Sequence, residues 1–409
     1  MRRVVVTGLG VMSPVGNDVA TFFSSLVAGR SGIGRHSRQF AEDTTPWLTA
    51  EVGPFSTEGF TKMRLATLDR TTLIALLTAR QAMADAGLMP QQPERAGVYW
   101  GTGLGGATTM EESYRQSLFN PNAARVKPTT VVMTMNNAAA SEISMDFGLT
   151  GPTYTYSIAC SSSAVAIGEA FRAIRDGYCD CAVAGGADSL LTLGSLKAWQ
   201  ALQTLAREDP DDPGSSCRPF SADRSGFVLG EGAGAIILEE ESHAKQRGAT
   251  VYAELAGFGA SSDASHITKP QAQGQSRAIA MALKDAGLSP ADIGYINAHG
   301  TATRVGDVVE TNAIKAAFGD SATRVPISST KALHGHLMGA TGAVEFLAAL
   351  MAMRESVIPP TANLLKPDTE CDLDYVPNVA RTNVAMNAVM SNSFAFGGNN
   401  AVLIAKRVV

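Results

Sequence analysis

Cys160 stands in Tyr156-Ser-Ile-Ala-Cys-Ser-Ser-Ser-Ala-Val-Ala-Ile-Gly168, where an apolar, strand-like run stops and a run of small residues begins. Ile167, Ala170, Phe171 and Ile174 recur after it at helical spacing and Gly177 follows as a C-terminal cap, so the thiol is expected at a helix N-terminus. Unpaired N–H groups and the positive end of the helix dipole meet there and favour thiolate over thiol, the usual route to a reactive cysteine. From position alone, a small buried hydrophobe is an equally good reading. Of the chain's 6 histidines, three fall close together, in Asn297-Ala-His299-Gly-Thr-Ala-Thr303 and in Lys331-Ala-Leu-His334-Gly-His336. Each cluster follows a short apolar or β-prone run, Ile293-Gly-Tyr-Ile296 or Val325-Pro-Ile327. The imidazoles therefore sit at strand ends, where α/β sheets collect ligands and catalytic groups. One cysteine with distant histidines that converge in space is the pattern of a covalent thiol enzyme.

The elements that must hold these groups alternate strand and helix with Gly-rich turns, as in sheets covered on both faces. Strands are predicted at 3–7, 97–101, 181–184, 234–239, 250–257, 294–297, 326–328, 388–391 and 401–406. Helical periodicity covers 67–87, 161–177, 275–287, 307–318 and 342–353. A break rich in Glu, His, Lys, Gln and Arg at 239–248 divides the chain near its middle. The expectation is an α/β protein in two halves, 1–245 carrying the cysteine and 246–409 carrying the histidines.

Composition sets limits. With 409 residues, 45% hydrophobic and 17% charged, the chain can bury a large core. A net charge of −5 without blocks of like charge implies neither nucleic acid nor a membrane surface as partner. The 5 cysteines form no disulfide framework and no CxxC pair, so no metal is expected, Cys179-Asp-Cys181 reads as core strand, and a reducing, cytoplasmic location follows. The basic, apolar N-terminus is broken early by Gly8, Gly10 and Pro14 and reads as a first buried strand rather than a secretion signal. Gly8-Leu-Gly10 lacks the third glycine and the acidic partner of a dinucleotide fingerprint.

Cys160, His299 in Asn-Ala-His-Gly-Thr-x-Thr, Lys331 with Gly335-His336, Glu345 in Gly342-Ala-Val-Glu, and Asn392-Ser-Phe-Ala-Phe-Gly-Gly398 together resemble the β-ketoacyl-[acyl carrier protein] synthases, the type II enzymes in particular. The likeness runs from Val4 to the C-terminus. It implies a thiolase-like five-layered αβαβα fold of two similar halves. It also implies a decarboxylative Claisen condensation of a Cys-bound acyl group with malonyl-[acyl carrier protein], lengthening a fatty acid, polyene or polyketide chain by two carbons. A non-catalytic chain-length partner subunit would share the fold but characteristically lacks the nucleophile. Thiolases carry a second cysteine near the C-terminus, which the segment 392–398 does not contain.

The resemblance assigns roles. Cys160 carries the acyl group, its own N–H and that of Phe396 form the oxyanion hole, and His299 and His336 donate to the enolate oxygen. Lys331, close to His336, and Glu345 hold the charge state of the site. Thr301 and Thr303 contact the phosphopantetheine arm on which acyl carrier protein brings substrate, although short hydroxyls also cap turns. Gly397 and Gly398 lend mobility to a loop in which Phe396 gates the acyl pocket. Ala395 and Asn399 stand there in place of the Gly and Thr expected, which bears on that mobility. Leu104 resembles a pocket-floor residue that limits chain length, and His334 stands where relatives often lack histidine. Acidic carrier protein would meet Lys62, Arg64, Arg125, Lys127 and Arg207. The resemblance implies a homodimer walled through Met133–Asn137, or a heterodimer with a related subunit lacking the cysteine, and no bound cofactor.

Overall fold

The strand that opens the chain, β1 (Val4–Met12), is buried at all nine positions and is paired on both sides. It joins two sheets in a computed structural model that describes residues 2–36, 40, 43, 45–119 and 126–408. The first half supplies β2 (Ala96–Gly101), β3 (Thr153–Tyr156), β4 (Cys181–Ser189) and β5 (Leu229–Glu240), in the order β3-β2-β4-β5-β1. The second supplies β6 (Ala253–Ser262), β7 (Ile293–Asn297), β8 (Ile327–Ser328), β9 (Ala388–Ala395) and β10 (Asn399–Lys406), in the order β8-β7-β9-β10-β6. The two orders are the same, and so are the directions. In each half four strands run one way and the fourth in the order, β5 or β10, runs antiparallel to both of its neighbours. Val4–Val6 of β1 pair with Ala253–Leu255 of β6 and fuse the sheets edge to edge.

Five helices complete the layers: α1 (Arg70–Ala86), α2 (Ser162–Arg175), α3 (Ala272–Ala286), α4 (Arg304–Phe318) and α5 (Thr341–Glu355). α1 covers the outer face of the first sheet, and α3 with α4 that of the second. α2 and α5 pack on each other between the sheets. A helix in that place must be apolar on every side, and α5 is buried from Thr341 through Met353. Close layer contact also requires missing side chains. A Cβ on Gly168 of α2 would stand 2.4 Å from the Phe258 ring, and one on Gly101 of β2 would stand 2.3 Å from the Ser163 nitrogen.

The predicted strands and helices are present, with ends moved by tertiary pairing. The strand expected at 250–257 begins at Ala253 and runs on to Ser262, because Asn399–Lys406 pairs with it along that length. The helix expected from 67 begins at Arg70, where Asp69 accepts from the Thr71 N–H as its cap. The charged break contains a short helix, Glu241–Gln246, connecting the sheets. All five cysteines are buried and free. Among the described residues no helix is long and apolar enough to cross a membrane.

Candidate active site

The turn that carries Cys160 is made by three hydroxyls and one strained residue. Ala159 holds a left-handed φ of +45°, a conformation disfavoured for a residue with a Cβ, and this turns the chain sharply so that Cys160 precedes the first turn of α2. Ser162 Oγ accepts from the Ile158 N–H at 2.8 Å and donates to the Ala159 carbonyl at 2.7 Å, bracing the turn. Ser161 Oγ lies 2.9 Å from the carbonyls of both Ser393 and Asn399, tying the turn to the β9–β10 hairpin. Ser163 Oγ accepts from the Ala343 N–H at 2.9 Å and ties it to α5. All three serines are fully buried. A buried hydroxyl without a partner would be costly, so each of them specifies the packing it serves.

The thiolate expectation is corrected by burial. Cys160 lies in the middle layer, and desolvation pushes its thiol up to about 11, against the opposing pull of the Lys331 charge and the N–H groups of Phe396 and Cys160 itself. The helix terminus is present, but a dry site raises the cost of the anion more than the dipole lowers it. The resting group is a thiol. The N–H groups of Cys160 and Phe396 both point at the sulfur, and a carbonyl oxygen under attack there would meet the same pair of donors.

His299 follows β7 and His336 follows the short helix Lys331–His334, so both imidazoles stand beyond the ends of parallel strands. His336 Nε2 lies 3.1 Å from Cys160 Sγ. Its Nδ1 accepts from the Met338 N–H at 3.2 Å, with Thr341 Oγ1 at 3.0 Å. An Nδ1 that accepts from a backbone N–H leaves the proton of a neutral imidazole on Nε2. The His299 ring stands edge-on to His336 at 5.6 Å. Lys331 Nζ lies 3.4 Å from His299 Nδ1 and donates to the His299 carbonyl, which again leaves Nε2 as the N–H. Burial, and then the Lys331 charge, hold both histidines well below their ordinary values, so both stay neutral.

Lys331 is fully buried and pairs with fully buried Glu345 on α5 at 2.7 Å. Burial pushes the Glu345 carboxyl up to about 7 while Lys331 draws it down. The ammonium contacts His299 directly, and its charge also reaches His336, to which it is nearer in sequence. One ligand atom each from Cys160, His299 and His336 lie within 4.8 Å of one another, a spacing that could hold a metal ion. The tautomers argue against that use. A metal needs two bare nitrogens, whereas both Nδ1 atoms already accept hydrogen bonds and both Nε2 atoms carry protons.

A cavity of about 710 Å³ opens over the three groups. Phe394, Phe396 and Trp199 wall it, Thr301 and Thr303 line the approach, and Arg207, Lys269 and Arg304 stand at its edge. Trp199 stacks on Phe396 at 6.0 Å and meets Phe227 edge-on, and Phe227 meets His336 edge-on. Thr303 Oγ1 caps α4 by accepting from the Gly306 N–H at 3.2 Å and lies 3.0 Å from Thr301 Oγ1, so the capping reading holds for Thr303 while both still face the cavity. Gly397 and Gly398 take φ of +86° and +70°, open to glycine at little cost. Their turn is tied down: the Gly397 N–H donates to the Ile267 carbonyl at 2.7 Å, and the Asp263 N–H donates to Gly398 at 2.8 Å.

Other expected residues lie apart. Leu104 does not line this cavity and is 58% exposed on the single chain. Lys62 and Arg64 share the short helix Lys62–Leu65, away from the cavity lining, and Arg64 is ion-paired with Glu142. Lys127 is exposed, and Arg125 lies outside the described residues. Two buried acids went unforeseen. Asp188, raised to about 6 by burial, accepts from Gly103 N–H, Gly339 N–H and Thr102 Oγ1, and so joins the Gly-rich loop after β2 to the segment behind His336. Glu310 accepts from the N–H groups of His299 and Gly300 and from Asn392. The spacing of Asp307, Glu310 and Thr311 along one face of α4 was the available sign, a polar stripe that turns out to face inward.

The fold and the thiol with two imidazole donors define a condensing acyltransferase of the thiolase-like class. Residues 1–244 match the family description "Beta-ketoacyl synthase, N-terminal domain" and residues 252–365 match "Beta-ketoacyl synthase, C-terminal domain". The chain belongs to the β-ketoacyl synthase family. It is 44% identical over 409 residues to Nodulation protein E of Rhizobium meliloti (strain 1021), covering 100% of both chains. It is 40% identical to 3-oxoacyl-[acyl-carrier-protein] synthase 2 of Staphylococcus aureus (strain COL), covering 99% of this chain and 98% of that one. Among solved structures, a type II polyketide synthase acyl-carrier protein in complex with its ketosynthase bound to the hexaketide superposes with a TM-score of 0.92, at 33% identity and full coverage of both chains.

Proposed function

We propose that this ketosynthase condenses an acyl group carried on Cys160 with malonyl-[acyl carrier protein], the substrates arriving on phosphopantetheine arms. The Cys160 sulfur attacks the acyl thioester, whose oxyanion is held by the N–H groups of Cys160 and Phe396. The carrier thiol leaves with the cysteine's proton. Malonyl thioester then places its carbonyl oxygen between the Nε2–H groups of His299 and His336. The bond to the carboxylate breaks, CO₂ departs, and the electron pair passes into an enolate stabilised by the two donors. The enolate carbon attacks the Cys160 thioester, a carbon–carbon bond forms, and the thiolate released takes a proton from water. Lys331 and Glu345 form no bond to substrate. They keep His299 neutral with its proton on Nε2.

The single observation that carries this reading is the convergence of two neutral imidazoles, each with its proton on Nε2, at a thiol facing two backbone N–H groups. A relative whose description includes acyl-carrier protein and a solved complex of a carrier protein with its ketosynthase support carrier protein as the partner. Arg207, Lys269 and Arg304 at the cavity edge suit an acidic one. We also infer pairing with a second copy across the face of edge strand β3, where Val131, Val132, Met135, Leu104 and Tyr154 are exposed. Leu104 would become an acyl-pocket wall there.

Release of CO₂ from malonyl carrier protein by Cys160→Ala, His299→Ala and His336→Ala tests the division of labour. The cysteine variant should still decarboxylate and form no condensation product. Each histidine variant should lose about 10²–10³-fold in CO₂ release. Undiminished release from both histidine variants would overturn the assignment.

A further inference from the structure

We propose that His334, absent from the mechanism above, is a positioning residue that fixes the orientation of His336 for decarboxylation. The inference rests on the role given to His336. His334 is fully buried and both of its ring nitrogens are engaged. Nδ1 lies 2.8 Å from the Gly335 carbonyl, which can only accept, so Nδ1 carries the proton. Nε2 lies 2.9 Å from Thr330 Oγ1 and accepts its hydroxyl proton. Thr330 Oγ1 in turn receives Asn297 Nδ2 at 3.4 Å, at the end of the strand that leads to His299.

What His334 holds is the hinge of the catalytic segment. Gly335 sits at φ +69° and ψ −168°, a region open in practice only to glycine. A Cβ there would stand 2.8 Å from the Ala50 Cβ and 2.9 Å from the Val228 carbonyl. The position requires glycine, and glycine by itself leaves the next peptide free to rotate. The Gly335–His336 peptide is one rigid plane. His334 Nδ1–H grips its carbonyl, and its N–H donates to the Val228 carbonyl at 2.7 Å. That plane sets the Cα–Cβ direction of His336, and with it the placement of Nε2 against Sγ. Without the imidazole, the Gly335 carbonyl is buried with no other donor among the described residues, and one of the two restraints on the plane is gone. Neutrality suits the task, since burial and then the Lys331 charge press His334 down to about 3.

Three substitutions separate the two arms. His334→Asn keeps an amide donor near the Nδ1 position, His334→Gln places its amide near Nε2 and serves Thr330 alone, and His334→Leu removes both. The readouts are kcat and KM for CO₂ release from malonyl carrier protein, and the rate of Cys160 acylation by intact mass. A donor displaced by about 1 Å costs about 100-fold, so the Leu and Gln variants should fall by about that factor in kcat, with KM and acylation within about 3-fold of wild type and the Asn variant nearly restored. Wild-type kcat in the Leu or Gln variant, or an equal loss in all three, would overturn the inference. Should the Leu variant fail to fold, the Asn–Gln comparison decides. His336→Ala, run alongside, reports on the underlying reading: if it decarboxylates like wild type, the role of His336 fails, whatever the His334 variants do.

Discussion

Lys331→Met removes the cation at the centre of the site and leaves Glu345 buried beside the space it filled. Both side chains are fully buried, Lys331 Nζ meets Glu345 Oε1 at 2.7 Å, and Glu345 Oε2 has no hydrogen-bond partner among the described residues. Breaking a buried pair from one side costs about 3–5 kcal/mol. At roughly 2 °C per kcal/mol for a large chain, Tm should fall by about 6–10 °C. His299 Nδ1 loses its donor at the same time, so the ring gains access to the tautomer that turns a bare nitrogen toward the enolate. Decarboxylation should therefore fall by about 10²–10³-fold. The double variant Lys331→Met/Glu345→Leu restores apolar packing and should regain most of the Tm, since replacing a buried pair with well-packed hydrophobes is often neutral. It should regain none of the rate. Differential scanning fluorimetry and CO₂ release read the two quantities separately. Recovery of rate in the double variant, or equal Tm in the single and double variants, would refute the argument that the pair serves His299.

Further outcomes follow from the same geometry. His334 stays neutral in the fold down to about 3 but takes a proton in the unfolded chain near its ordinary value of 6.5, so its contribution is present above 6.5 and lost as pH falls. Relative to His334→Asn, wild type should lose about 1.4 kcal/mol of stability per pH unit below that point, and parallel Tm curves between pH 6.5 and 4.5 would contradict it. Ser161→Ala leaves two buried carbonyls short of a shared donor and should lower Tm by about 2–6 °C, with faster iodoacetamide labelling of Cys160 as the turn loosens. Trp199→Ala removes the ring stacked on Phe396 and should slow Cys160 acylation by the preferred chain about 2–10-fold while admitting bulkier ones, as read across an acyl panel. Iodoacetamide labelling of wild type should keep rising with pH toward about 11, because the thiol is desolvated, and a plateau near neutrality would contradict a resting thiol.

The five residues to which we assign roles stood out in the sequence because each lies in a contiguous motif: Cys160 before a helix, His299 after a strand, His336 after a strand and a short helix, and Lys331 and Glu345 at either side of His336. Their grouping in space required only that the strand ends face one way. The protonation of Cys160 was misread, since a helix terminus is visible in one dimension and burial in the middle layer is not. Asp188 and Glu310 were missed because their partners are mainly backbone N–H groups of distant segments, which carry no residue signature. The direct contact of Lys331 with His299 was missed for a related reason: it is created by β7 and β8 lying side by side, whereas only the proximity of Lys331 to His336 shows along the chain. The identical strand order of the halves was hidden as well. Order in a sheet is set by pairing, and β8, with two residues, leaves almost no periodic trace.

The most direct test of the central claim is intact-mass analysis of wild type and Cys160→Ala after incubation with a panel of acyl carrier protein thioesters, followed by malonyl carrier protein. The account predicts one acyl adduct on wild type only, discharged on adding malonyl carrier protein, with a 3-oxoacyl product two carbons longer. An adduct that persists in Cys160→Ala, or no adduct with any donor, would contradict it.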